Sequence, residues 1–122
     1  MTNPGAPAPL SLIGVHTARI VPALPAFEVF ELAAGCSDEE IEAMLADRRR
    51  FTEGEAYPLI GALIGDQPKG EPGPLSRDGD NIFCTPLFIV CVGWIGPYWA
   101  VTASRSGTHQ PWPAGARIFV PT

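Results

Sequence analysis

Charge is scarce in this chain, and across residues 82–103, "IFCTPLFIVCVGWIGPYWAVTA", it is missing altogether. Charged residues make up 17% of the sequence, below the quarter or so usual for soluble domains. Part of the surface is therefore expected to be covered by something other than water. Basic residues are the scarcer kind: eight Lys and Arg against thirteen Asp and Glu, for a formal net charge of -5. A nucleic-acid binder needs a basic stripe to displace counterions from phosphates, so no nucleic-acid partner is expected. Arg48, Arg49 and Arg50 form the one basic cluster, and three adjacent side chains on a helix point in different directions.

Paired cysteines are lacking too. Cys36, Cys84 and Cys91 are odd in number and have no C-x-x-C spacing, which excludes a disulfide framework. Cys84 and Cys91 read as small hydrophobes inside an apolar run. No basic n-region precedes the broken apolar segment "LSLIGV", because the first basic residue is Arg19. A secretion signal is not expected, and the expected location is the cytoplasm or a particle assembled there.

Catalytic motifs are the third absence. There is no G-x-S-x-G, H-E-x-x-H, P-loop or G-x-G-x-x-G. His16 and His109 are the only side chains with an ordinary pKa near neutrality. A catalytic reading would set one of them against Cys36, Cys84 or Cys91 as nucleophile, or against Asp78 or Asp80 as orienter. No local spacing supports such a pairing. "DGDN", 78–81, faintly resembles part of a calcium loop but lacks the spaced oxygens and closing Glu, so it reads as a turn. No cofactor or metal is expected.

The long uncharged run poses the main structural question. A membrane span needs about 20 apolar residues in one unbroken helix. Pro86, Gly93, Gly96 and Pro97 interrupt this run, leaving "LFIVCV", 87–92, as its longest clean piece. That length and composition predict a buried strand. "GWIGP" supplies turn chemistry and "YWAVTAS", 98–104, a returning strand, giving a hairpin with both faces largely covered.

The remaining elements follow from period and punctuation. Residues 1–9, "MTNPGAPAP", predict an extended Pro-rich arm. Strands are predicted over 11–21, bent at Gly14, over 27–32, and over 116–120. Glu28 and Glu31 fall on opposite faces of the second, which predicts an edge position or a bulge. "SDEEIEAMLADRRRF", 37–51, predicts a helix with a Ser37–Glu40 capping box, acids in its first turn, arginines in its last, and a stripe of Ile41, Met44, Leu45 and Phe51. "EAYPLIGALIG", 55–65, is ambiguous between helix and strand. Four glycines and three prolines within 65–81 predict a long loop.

The expected fold is α+β: a single small domain, 10–122, with a mainly antiparallel sheet of four to six strands and one amphipathic helix packed on it. The expected function is that of a non-enzymatic structural or interaction protein, a small subunit of a larger assembly such as a virion or similar particle. Its partner would be another protein or further copies of itself, not a membrane. Candidate contact residues are Pro4, Pro7 and Pro9 in the arm, and Trp112 with His109 in "HQPWPAG", where two prolines stiffen the presentation of an aromatic. The opposing reading of Trp112 is that it folds back to cap the end of the sheet. Two other functions stand beside this one: an acidic binding protein or inhibitor of a basic partner, and a small enzyme or ligand-binding domain using His16 or His109.

Overall fold

The computed structural model describes residues 26–105 and 111–122, together with the backbone of 10–17. The predicted arm, with Pro4, Pro7 and Pro9, and His109 lie outside the described residues, and so does the side chain of His16.

The chain is a small α+β fold built on one six-stranded sheet. In chain order the elements are β1 (Leu10–Thr17), β2 (Ala26–Leu32), α1 (Asp38–Met44), α2 (Glu53–Asp66), β3 (Asn81–Cys84), β4 (Phe88–Trp94), β5 (Trp99–Arg105) and β6 (Arg117–Pro121). The strands lie in the order β1-β2-β6-β3-β4-β5. All neighbours are antiparallel except β3 and β6, which run parallel with Phe83 beside Phe119. The uncharged run 82–103 supplies most of β3, all of β4 and most of β5, as paired strands. No helix among the described residues is long and apolar enough to cross a membrane.

Two helices, not one, cover the sheet, and they lie against opposite faces. Ile41 and Leu45 pack with Phe30, Leu32, Ile82, Ile89, Ile118 and Val120. Ala56, Leu59, Ile60 and Leu63 of α2 pack on the other face with Phe27, Val29, Phe83, Val90, Val92 and Phe119. Four aromatic rings run through this second layer: Phe27 to Phe119 at 5.8 Å, Phe119 to Phe83 at 4.4 Å, and Phe83 to Phe51 at 6.0 Å between centroids. A strand covered on both faces reads as a continuous apolar run, which is what "IFC" and "FIVCV" are.

The first helix is shorter than its pattern suggests. The Ser37–Glu40 capping box forms, but the helix ends at Met44. Arg48, Arg49 and Arg50 therefore do not complement its C-terminal dipole. Each meets a carboxylate instead: Arg48 pairs with Glu28 at 2.5 Å, Arg49 with Glu55 at 2.7 Å, and Arg50 with Glu42. Phe51 does not extend the α1 stripe either; it is buried in the opposite layer. The segment 45–52 is thus the crossing from one face to the other, which an unbroken helix to residue 51 would forbid. The Arg48 pairing also explains Glu28. Strand β2 lies inside the sheet between β1 and β6, and the bulge sits in β1, between Leu12 and Gly14.

Helix α2 resolves the ambiguity of 55–65. Its signal is a second capping box: Thr52 Oγ1 accepts the Glu55 N–H at 3.2 Å, and Glu55 Oε1 accepts the Thr52 N–H at 3.0 Å. Pro58 lies in the helix but on its exposed side, where the carbonyl it leaves unbonded is open to solvent. Gly61 and Gly65 are also exposed, and an added Cβ at either meets nothing within 4 Å. Gly61→Ala and Gly65→Ala are expected to stabilise the protein by about 1–2 kcal/mol together. The check is a thermal melt of the double variant; an unchanged or lowered midpoint would contradict it.

Candidate functional site

Of the five large apolar side chains exposed among the described residues, Tyr57 lies on α2 and the other four lie on or beside the β4–β5 hairpin. Leu87 is 64% exposed, Ile95 57%, Tyr98 56% and Val101 43%. The hairpin closes through a turn in which the Ile95 N–H donates to the Tyr98 carbonyl at 3.0 Å, with a cis Gly96–Pro97 peptide between them. Only half of the predicted cover is present. Ile89, Val90 and Val92 of β4 are buried, but beyond Trp99 no residue of β5 is. The reason is position: β5 is the last strand of the sheet, and α2 reaches only as far as Trp99.

Hydrogen-bond parity sets what β5 presents at its outer edge. Ile95 and Tyr98 form a bonded pair, and bonded pairs alternate along an antiparallel ladder. The backbone groups of Ala100 and Thr102 thus turn toward β4, and those of Trp99, Val101 and Ala103 turn outward. From Ile95 to Ser104 this edge carries no charged side chain. Among the described residues of β5 it has no proline or bulge, the usual means of blunting an edge.

A second feature lies behind the hairpin turn. The loop from Gln67 to Asp80 is long, yet buried side chains pin it. Gln67 is 2% exposed; its amide donates to the Glu71 carbonyl at 2.6 Å and the Leu75 carbonyl at 3.0 Å, and its oxygen accepts the Leu75 N–H at 3.0 Å. Asn81 does the same for the far end, donating to the Ser76 and Val92 carbonyls at 2.9 Å each and accepting the Ser76 N–H at 2.6 Å. Asn81 thus acts as a strut, and "DGDN" leads into β3. Gly70 adopts a φ of +72°, and any Cβ there would sit 3.2 Å from Arg77 and the Trp94 ring. The loop borders an open cavity of about 350 Å³ walled in part by Glu71, Pro72, Arg77 and Arg117. A neighbouring cavity of about 170 Å³ is bounded by Arg77, Asp80, Trp94 and Ile95.

Of the contact residues expected from sequence, Trp112 alone is described. It is 7% exposed and lies in the α1-side core. Its indole N–H donates to Asp38 Oδ1 at 2.6 Å, and its backbone bridges to Cys36. The ring is thus buried in the α1-side core and is not grouped with Tyr98 and Val101.

The thiols offer no ready nucleophile. Burial pushes the Cys84 thiol up to about 12. Burial, with the nearby Asp80 carboxylate, does the same at Cys91, where the thiol donates to Asp80 Oδ1 at 3.6 Å. Cys36 is also raised, mainly by burial. A thiol held this way stays protonated near neutral pH. Among the described residues no three His, Cys, Asp or Glu side chains come together as a metal site.

Compared with known proteins, the chain matches no protein family, no curated protein and no solved structure.

Proposed function

We propose that this chain is a non-enzymatic assembly subunit that associates through the outer edge of β5. The observation that carries the reading is that edge itself: a seven-residue strand whose outward backbone groups at Trp99, Val101 and Ala103 have no neighbouring strand among the described residues, flanked by exposed Val101, Tyr98 and Ile95. Unpaired N–H and C=O groups in a row are a template for another strand.

The occupant that fits is a second copy of the same strand. Antiparallel pairing about a two-fold axis is self-complementary, and the register that uses all of Trp99–Arg105 is centred on Thr102. Val101 of one copy then faces Ala103 of the other in a bonded pair, and Arg105 faces Trp99. No like charges meet. An acidic inhibitor would need carboxylates at its contact face, and the edge from Ile95 to Ser104 has none. Association is therefore expected to resist salt.

The test is size-exclusion chromatography with light scattering. Wild-type protein is expected to be dimeric or larger, and Val101→Lys monomeric, because the edge then carries a charge on each copy. A wild-type monomer at about 100 µM, a weak-binding concentration, would refute the reading. Thr102→Cys reads the register: Thr102 would face its own copy in a non-bonded pair, about 4.5 Å between Cα atoms, close enough for a disulfide on mild oxidation.

A further inference from the structure

The arginines of this acidic chain are not used alike. Arg48, Arg49 and Arg50 each meet a carboxylate. Arg77 and Arg117, which wall the 350 Å³ cavity together, form no ion pair with any described residue, although Glu71 and Asp78 also border the space. Arg77 lies over the Trp94 ring, 5.5 Å from its centroid. Arg117 is fixed by donating from Nη1 to the Gly73 carbonyl at 2.9 Å and the Pro74 carbonyl at 2.8 Å, while its buried Nε–H has no acceptor among the described residues. Two oriented guanidinium groups with donors to spare, on walls held by Gln67 and Asn81, make a preorganised anion site.

We propose that this cavity binds a small carboxylic acid, its carboxylate held between Arg77 and Arg117. A planar carboxylate matches the guanidinium fork. A phosphate dianion would bring a second charge toward Glu71 and Asp78 on the same walls, so the site favours the monoanionic group. The volume admits a molecule of roughly ten heavy atoms, taking about 30 Å³ for each. The neighbouring cavity, which shares Arg77 and reaches Trp94, gives a flat or apolar body somewhere to lie.

The experiment is a titration of the full chain with benzoate, succinate and inorganic phosphate, followed through the arginine Nε–H and indole N–H resonances. At least one carboxylate is expected to give saturable shifts at Arg77 and Arg117, with phosphate weaker. Arg77→Gln should weaken binding about tenfold or more, the loss of one charge-assisted contact, while the backbone spectrum stays folded. Arg117→Lys, which keeps the charge but loses the fork, should weaken it as well. The proposal is overturned if neither carboxylate gives saturable shifts by about 10 mM, the range of very weak binding. It is overturned equally if phosphate binds more tightly, or if Arg77→Gln binds like the wild type.

Discussion

Phe83→Ala is expected to destabilise the protein by about 3–5 kcal/mol, a large part of the 5–15 kcal/mol typical of a whole domain. Phe83 is fully buried, and its ring stacks on Phe119 at 4.4 Å with a 15° interplanar angle, while Phe51 tilts against its other side at 6.0 Å. The three rings come from β3, β6 and the segment that leads into α2, so one side chain ties the parallel strand pair to a helix layer. Its removal leaves a cavity that rigid neighbours on two strands fill poorly. Urea denaturation checks this: the midpoint should fall sharply while the slope stays near wild type. A loss under about 1 kcal/mol would mean that the aromatic layer is not a packed core.

Gln67→Leu is the second large effect, expected at about 2–4 kcal/mol. The new side chain is of similar size but cannot bond, so it strands the Leu75 N–H and the carbonyls of Leu75 and Glu71 away from water. The packing of Trp99 should survive, because its indole N–H donates to the backbone carbonyl of residue 67, at 2.5 Å, and not to the side chain. Damage is therefore local. Hydrogen exchange at the Leu75 amide should speed up far more than at Phe83 or Val90, in the manner of a sub-global opening. Equal acceleration throughout the sheet would show that the loop and the core melt as one unit.

These two residues differ in how far the sequence announced them. Phe83 sits in the long uncharged run, whose prolines and glycines rule out a spanning helix, but the strand predicted there was 87–92, and β3, cut off from it by Pro86, was not among the predicted strands. The Ser37–Glu40 cap and the returning strand of the hairpin were legible for local reasons. Helix α2 was harder to see, since Pro58, Gly61 and Gly65 lower its propensity, yet Thr52 with Glu55 three residues on was an available signal. The arginine triplet misled because helix-end chemistry and tertiary ion pairs use the same residues. Arg48 finds Glu28 only once β2 lies under α1. The cavity was beyond local reading altogether: Arg77 and Arg117 share a wall only because the parallel pairing sets Asn81 beside Arg117.

The place of β6 between the two halves of the sheet has a kinetic meaning as well. Strands β1 and β2 form one ladder and β3, β4 and β5 another, and β6 is all that joins them. Each ladder is made of near neighbours in the chain, but the seam needs partners as remote as Val29 and Phe119. Closing such a seam confines a long stretch of polypeptide before any contact rewards it, so the docking of β6 is expected to be the slow step. The folding time is expected on the scale of milliseconds to seconds, slower than the ladders alone would require.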